Sequence, residues 1–195
     1  MSTDRWSELH SDVEVKGIVK YWFIVSKYLA WPFIVLRISP NIISFSSILI
    51  SLPLIFDRSL WWLVIVALIL DGIDGRVAIE RKMESKLGSL IDSISDRVSE
   101  FIWALALHMV GLNGLLISIF IGCAWVQEYL RARAGGLGYR KIGLVTISER
   151  PTRAIFIALM LAIAKFELPI LILAVSVQLI SLITITWKIK EEINL

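Results

Sequence analysis

Six long stretches of apolar residues, separated by short polar intervals, run along this chain. Each stretch, allowing for tilt, is long enough to cross the hydrocarbon core of a membrane as a helix. The longest polar interval, at about 131–150, lies between the fourth and fifth stretches. The pattern therefore predicts an all-α integral membrane protein with six transmembrane helices. The predicted spans are 42–57, 60–80, 88–109, 113–132, 152–167 and 169–187.

An earlier apolar run, residues 18–36, precedes the six stretches and is interrupted by Lys20, Lys27 and Pro32. Charges and a proline within an apolar run favour a helix that lies in the membrane interface over a seventh span. A seven-span alternative would change only the location of the N-terminus. We expect a single domain over 1–195, with an interfacial and juxtamembrane segment at 1–40 and the six-helix bundle at 41–195.

Composition and charge support a membrane protein with a defined orientation. The chain is 57% hydrophobic, above the roughly 45–50% of soluble domains, and its mean hydropathy is +0.76. With six spans and the N-terminus inside, 18 of the 20 Lys and Arg residues lie at the inner face, and only Arg58 and Lys165 lie outside. This asymmetry follows the positive-inside rule. It predicts a multi-pass protein of the cell membrane with both termini on the cytoplasmic side, a bilayer as partner and no nucleic acid.

Four aspartates lie within or beside predicted spans, at spacings that place them in pairs. Asp71 and Asp74 are three residues apart at the end of the second span, and Asp92 and Asp96 are four apart in the third. Such spacings put both members of a pair on one helical face. Clustered carboxylates at the edge of hydrocarbon repel each other and lose hydration, so we expect them to be functional rather than solvated loop residues.

Glycines accompany both aspartate pairs. Gly75 follows the first pair and Gly88 precedes the second, and both would let the two helices approach closely. The pairs would then converge. Oxygen ligands without Cys or His favour Mg²⁺ or Mn²⁺, with Ca²⁺ as an alternative. The active site would lie on the cytoplasmic side.

The stretch "DGIDGRVAIERKMESKLGSLIDSISD" resembles the signature of the CDP-alcohol phosphotransferase (CDP-alcohol phosphatidyltransferase) family. The resemblance implies an interfacial helix followed by six transmembrane helices, a homodimer, and a site for two Mg²⁺ or Mn²⁺ ions. It makes Asp96 the general base, close to a metal, and implies metal ligation by Asp71, Asp74, Asp92 and Asp96. The matching positions are Asp71, Asp74, Gly75, Ala78, Gly88, Asp92 and Asp96.

Residues that bind the nucleotide of a CDP-lipid are also implied by the resemblance. Ser39–Asn41 resembles the Pro-Asn element of the family near the nucleotide. Ile79 stands where the signature has an arginine that lies close to the nucleotide, and we expect Arg76, or alternatively Arg81, to substitute for it. The expected nucleotide-binding residues are Pro40, Asn41, Asp71, Gly75, Arg76, Ala78 and Gly88.

Arginines form a second group around the interval 131–150. They either fix the orientation of the spans or bind the phosphate of an acceptor bidentately. Glu128, three residues before Arg131, favours a structural ion pair with it. The pattern resembles the branch of the family that makes phosphatidylinositol phosphate. The expected acceptor-phosphate residues are Arg131, Arg133, Arg150 and Arg153.

The resemblance implies transfer of a phosphatidyl group from CDP-diacylglycerol, or a related CDP-lipid, to a phosphorylated polyol, with release of CMP. Inositol 1-phosphate and glycerol 3-phosphate both satisfy the expected acceptor site. Two alternatives remain open. One is a catalytically silent family member that binds the CDP-lipid, suggested by Ile79. The other is a cation transporter, which buried carboxylates can also indicate.

Overall fold

The computed structural model describes residues 18–138 and 145–193, and within them the protein is entirely helical with no strand, as predicted. Seven α-helices and two 3₁₀ turns, Leu52–Ile55 and Arg58–Leu60, make up this part of the chain. Residues 1–17 of the expected interfacial segment and 139–144 of the polar interval lie outside the described residues. The helices are α1 (Ile18–Val35), α2 (Pro40–Ser51), α3 (Trp62–Glu80), α4 (Lys86–Met109), α5 (Gly114–Gly136), α6 (Arg150–Ala162) and α7 (Glu167–Ile193).

Two helices, α5 and α7, are long and apolar enough to cross a membrane. A third crossing is possible if Val25–Val35 and Pro40–Ile55, which meet at 107°, act as one broken span. Helix α2 has 12 residues and α6 has 13, which is about 20 Å at 1.5 Å per residue and short of the hydrocarbon core. Helices α3 and α4 are longer but carry the charged residues of the motif. The structure thus supports a membrane protein, while the six-span count and the interfacial role of α1 stay predictions.

One compact unit contains residues up to Ile50 together with Val66–Ser99. Its core is formed by apolar side chains of α1, α2 and α3, which pack against one another in one buried cluster. The buried members are Ala30, Ile43, Leu70, Ile73 and Val77.

Tight reversals end both α1 and α3 in this unit. Arg37 and Lys82 each adopt a φ of 55°, and the amides of the following residues bond back to the helix: Ile38 N to Phe33 O at 2.9 Å and Met83 N to Ala78 O at 2.8 Å. This bonding is that of a Schellman motif, in which the residue after the helix is left-handed. The reversals let α2 begin soon after α1 and α4 soon after α3.

The second compact unit contains Ser51–Ile65 and the described residues from Glu100 onward. Helix α7 packs against both α5 and α6. Small and apolar residues such as Phe120, Ala124, Ile157, Leu171 and Ala174 are buried there. The outer side of α7 exposes a set of large apolar side chains that lipid would cover, comprising Ile172, Leu173, Ile180, Ile183 and Trp187. The expected single domain stays a prediction.

Candidate functional site

Three of the four predicted aspartates converge in the first unit. Asp71 and Asp74 of α3 and Asp92 of α4 each offer a carboxylate oxygen, and these oxygens lie within 4.8 Å of one another. Asp74 is only 4% exposed. Three carboxylates this close repel one another unless a cation lies among them. An all-oxygen donor set suits Mg²⁺ or Mn²⁺, which bind few carboxylates and complete their coordination with water and substrate phosphate.

Asp96 lies one helical turn after Asp92 on α4 and is half-buried. It is not a member of the three-aspartate cluster found in the described part of the chain. Its Oδ2 lies 3.6 Å from Nη2 of Arg97. Its predicted roles as general base and fourth metal ligand therefore stay predictions.

Ser44 of α2 is a further residue of the site, which the sequence did not single out. Its hydroxyl hydrogen-bonds with Oδ2 of Asp74 and lies 3.2 Å from the carbonyl oxygen of Pro40. Ser44 therefore fixes the direction of one carboxylate of the cluster. The signal in the sequence was the helical spacing of Ser44, Ser47 and Ser51, which places three small polar residues on one face of α2.

A cavity of about 200 Å³ opens beside the cluster. It is lined by five of the seven predicted nucleotide residues, and Ser44, Asp74 and Asp92 also border it. The predicted residues Asp71 and Arg76 are absent from the lining described here. The five predicted residues that line the cavity are Pro40, Asn41, Gly75, Ala78 and Gly88.

The two glycines of the cavity differ in what surrounds them. A Cβ added to Gly88 would lie 3.1 Å from Oγ of Ser85 and 3.5 Å from Oδ1 of Asn41. Gly88 therefore lets Asn41 of α2 come close to α4, whereas the approach predicted for it was to the helix that carries Asp71 and Asp74. A Cβ added to Gly75 would meet no atom within 4 Å. Gly75 therefore leaves open space in the cavity, and the prediction that it brings two helices together was not met.

Apolar side chains occupy the position where the family signature places an arginine. Ile79 and Met83 line the cavity. The two arginines expected to substitute contact other groups: Arg76 bonds to Glu80 at 2.8 Å, and Arg81 donates to the carbonyl of Ile38 at 2.7 Å. Among the described residues, the cavity lining contains no Lys or Arg.

In the second unit, Arg153 forms a buried ion pair. Arg153 and Glu100 are both fully buried, and Nε and Nη2 of Arg153 donate to Oε1 of Glu100 at 2.9 and 2.7 Å. Nη1 donates to the carbonyl of Ser148 at 2.8 Å, and Trp125 donates to the other oxygen of Glu100. All three guanidinium nitrogens of Arg153 thus donate to protein groups, and its predicted contact with an acceptor phosphate stays a prediction.

Arg131 forms a bidentate ion pair with Glu149. Nη1 donates to Oε2 at 2.7 Å, and Nη2 donates to Oε1. The ion pair predicted between Arg131 and Glu128 is also present, at 3.4 Å. Burial alone would raise the pKa of Glu149, but its hydrogen bonds with Arg131 and Thr146 hold that pKa below the usual range.

The remaining two arginines of the group have different surroundings. Arg133 is exposed at the end of α5. Arg150, at the start of α6, is buried, and its guanidinium carbon lies 5.7 Å from the ring centroid of Trp103. This distance allows a cation–π interaction. Of the four arginines, only Arg133 is exposed, and Arg131 is partly so.

Comparison with known proteins finds a family match that includes all four aspartates. Residues 37–187 match the family model of CDP-alcohol phosphatidyltransferases. The chain is 34% identical over 106 residues to archaetidylinositol phosphate synthase of Aeropyrum pernix, which covers 54% of each chain. It is 25% identical over 144 residues to phosphatidylinositol phosphate synthase of Cutibacterium acnes, covering 66% of this chain and 70% of that protein.

A third relative is named for a different acceptor, serine. The chain is 41% identical over 70 residues to CDP-diacylglycerol–serine O-phosphatidyltransferase of Helicobacter pylori, covering 33% of this chain and 30% of that protein. The chain spans about half the length of the Aeropyrum pernix relative it matches.

Proposed function

Because this chain belongs to the CDP-alcohol phosphatidyltransferase family, we propose that it is a membrane enzyme of phospholipid synthesis. It transfers the phosphatidyl group of CDP-diacylglycerol, or of a related CDP-lipid, to a hydroxyl of a phosphorylated polyol and releases CMP. The observation that carries this proposal is the cluster of Asp71, Asp74 and Asp92 beside a cavity lined by residues of the family signature.

In the proposed reaction, the acceptor hydroxyl oxygen bonds to the lipid-side phosphorus, the bond from that phosphorus to the CMP oxygen breaks, and CMP leaves. Asp96 takes the proton of the hydroxyl. Bound Mg²⁺ or Mn²⁺, two ions in our proposal, would neutralise the pyrophosphate and hold it in place. Asp71, Asp74 and Asp92 would hold these ions, with Asp96 close by. The open space at Gly75 would admit the nucleotide.

A phosphorylated polyol is the acceptor that we favour, with inositol 1-phosphate before glycerol 3-phosphate. Two relatives support this choice by name: archaetidylinositol phosphate synthase of Aeropyrum pernix and phosphatidylinositol phosphate synthase of Cutibacterium acnes. The paired donors of Arg131 also suit a phosphate group. A serine acceptor is supported by shorter matches, over 70 residues, to relatives named as serine phosphatidyltransferases.

We place the enzyme in the cell membrane as a multi-pass homodimer, with six spans and a single domain. Its termini and active site would face the cytoplasm. The exposed apolar surface of α5 and α7 supports membrane embedding, and the distribution of Lys and Arg supports the orientation.

The test is CMP release by the full chain, purified in detergent with Mg²⁺ or Mn²⁺ and CDP-diacylglycerol. Inositol 1-phosphate, glycerol 3-phosphate, free inositol and serine are supplied in parallel. We expect release with one phosphorylated acceptor, loss of release in Asp96→Asn, and retention in Glu191→Gln, an exposed carboxylate at the end of α7. Release with serine alone would contradict the proposed acceptor class.

A second candidate is a family member that binds the CDP-lipid without transferring it. Ile79 favours it, because it places an apolar side chain in the cavity where the family signature has an arginine. Such a protein would bind CDP-diacylglycerol in a titration and release no CMP with any of the four acceptors. Ile79→Arg is the variant expected to restore release in that case. Family membership argues against the cation-transporter alternative.

A further inference from the structure

Four hydrogen-bond donors converge on one carboxylate group, that of Glu149. Oε1 is bonded by Nη2 of Arg131, by the backbone amide of Thr146 at 2.6 Å and by the Thr146 hydroxyl at 2.7 Å. Oε2 is bonded by Nη1 of Arg131 at 2.7 Å. A guanidinium fork, a backbone amide and a hydroxyl are the donors that proteins use to bind phosphate oxygens.

One of these donors, the Thr146 hydroxyl, is held in place by a buried chain of side-chain amides. Gln178 donates to Gln127 at 3.0 Å, and Gln127 donates to the hydroxyl of Thr146 at 3.1 Å. Both glutamines are fully buried. The Thr146 hydroxyl, having accepted from Gln127, is left to donate to Glu149. The Thr146 hydroxyl is therefore directed towards an anion by groups other than Glu149.

The anion position can be reached from solvent. The side chains of Arg131 and Glu149 are 20% and 23% exposed, whereas the Glu100–Arg153 pair in the same unit is fully buried. Of these two ion pairs, the Arg131–Glu149 pair is therefore the one in which a ligand could replace the carboxylate.

We propose that the Glu149 carboxylate is an internal stand-in for a phosphomonoester, and that the phosphate of the acceptor displaces it from Arg131 and Thr146. This inference rests on the proposed function and adds a specificity determinant to it. An acceptor with a phosphate can compete for the donors, whereas serine or free inositol cannot. Glu149 lowers the apparent affinity for the phosphorylated acceptor, because the donors are available only in the fraction of molecules in which Glu149 has withdrawn.

The test compares the full-length protein with Glu149→Gln. Gln keeps the length of the side chain and an oxygen acceptor for Thr146 but removes the charge that pairs with Arg131. Calorimetry with inositol 1-phosphate, in the absence of CDP-lipid, gives Kd, and CMP release gives the KM values for inositol 1-phosphate and for the CDP-lipid. We expect Kd and KM for inositol 1-phosphate to fall at least about fivefold, with the KM for the CDP-lipid unchanged.

Two further variants separate displacement from general electrostatics. Glu128→Gln removes a charge that lies 3.4 Å from the same arginine but does not take up the Thr146 donors, so we expect less than about a twofold change in Kd. Glu149→Asp keeps the charge on a shorter side chain and should bind the acceptor more tightly than wild type and less tightly than Glu149→Gln. It also tests the inference if Glu149→Gln fails to fold.

Unchanged or weaker binding in Glu149→Gln would overturn the inference, because Glu149 would then only position Arg131 or lie away from the acceptor. An equal gain in Glu128→Gln would overturn it as well. Absence of CMP release with every acceptor would instead refute the proposed function. In that case calorimetry still decides on phosphate recognition: tighter binding in Glu149→Gln supports the displacement, and absence of binding in both proteins rejects it.

Discussion

Among single residues, Ser44 acts on the candidate metal site through Asp74. Its hydroxyl hydrogen-bonds with Oδ2 of that carboxylate, while Oδ1 accepts from the backbone amide of Gly75. Groups that orient a metal ligand in this way commonly change metal affinity by about 10- to 100-fold. Ser44→Ala should therefore weaken Mn²⁺ binding by at least about tenfold, which a titration of the purified protein followed by electron paramagnetic resonance would measure.

Ser46→Ala is the matched control for this substitution. Ser46 lies on the same helix, and its hydroxyl donates to the carbonyl of Ile42 at 2.8 Å. We expect its Mn²⁺ affinity to equal that of wild type. Equal affinities in Ser44→Ala and Ser46→Ala would mean that the Ser44 hydroxyl has no part in metal binding.

The contribution of the Glu100–Arg153 ion pair to the free energy of unfolding can be measured by substitution. Removing one partner of a buried pair leaves the other charge without compensation, at a cost of about 3–5 kcal/mol. We expect Glu100→Gln and Arg153→Met each to lower the free energy of unfolding by roughly that amount, measured by denaturant titration in detergent. The double variant should lose less than the sum of the two single losses.

Single variants within about 1 kcal/mol of wild type would contradict the assignment of this pair to stability. A rise in acceptor KM without loss of stability in Arg153→Met would instead restore the predicted phosphate contact. A role in stability would change the free energy of unfolding, whereas a phosphate contact would change the acceptor KM. Measuring both quantities on the same variants therefore decides between the two roles.

The sequence predicted the contacts of residues correctly where the two partners are close in the chain or belong to the same motif. Asp71 and Asp74 share a face because they are three residues apart, and Glu128 pairs with Arg131 for the same reason. Arg153 could not be assigned in this way. Whether it meets a phosphate or Glu100 depends on a partner 53 positions away, and local periodicity carries no information about that distance.

At the scale of helices, Arg58 joins the end of α6 to the start of α7. Its guanidinium donates to the carbonyls of Leu161 and Met160 at 2.9 and 3.0 Å and pairs with Glu167 at 3.0 Å. The last carbonyls of a helix lack intrahelical partners, and a cation there also interacts favourably with the helix dipole. The sequence identified Arg58 only as one of two outward basic residues and gave no sign of this contact.

We expect Arg58→Gln to destabilise the protein by about 1–3 kcal/mol, since it removes charged hydrogen bonds from partly buried acceptors. Lys165→Gln is the control, because Lys165 carries the other outward charge and is exposed. Thermal unfolding in detergent would compare the two variants. A similar shift in Tm for both would show that Arg58 contributes only charge.

Helix ends were harder to predict than helices. The sequence contains Arg37 and Lys82 at positions where the backbone is left-handed, and neither is the glycine or asparagine that usually marks such a turn. The helices themselves followed from apolar length, so α4 to α7 lie close to their predicted spans. The short α2 and α6 show why apolar length alone does not fix the number of spans.

For the whole molecule, the open question is how the chain crosses the membrane. Six spans with a cytoplasmic N-terminus place Lys165 outside and Lys86, at the start of α4, inside. Single cysteines can test this, because the chain contains one native cysteine, Cys123, which can be replaced by serine. In intact cells, a membrane-impermeant maleimide should label Lys165→Cys, and it should label Lys86→Cys only after permeabilisation.

The N-terminus separates six spans from seven. A cysteine at position 7 (Ser7→Cys) should be protected in intact cells if the run 18–36 lies in the interface, and labelled if that run crosses the bilayer. Labelling of Lys86→Cys in intact cells would contradict the cytoplasmic site altogether. The signature aspartates on the adjoining helices would then face the outer side of the membrane. Protection of both Lys86→Cys and Ser7→Cys, with labelling of Lys165→Cys, is the only pattern that agrees with six spans and a cytoplasmic active site.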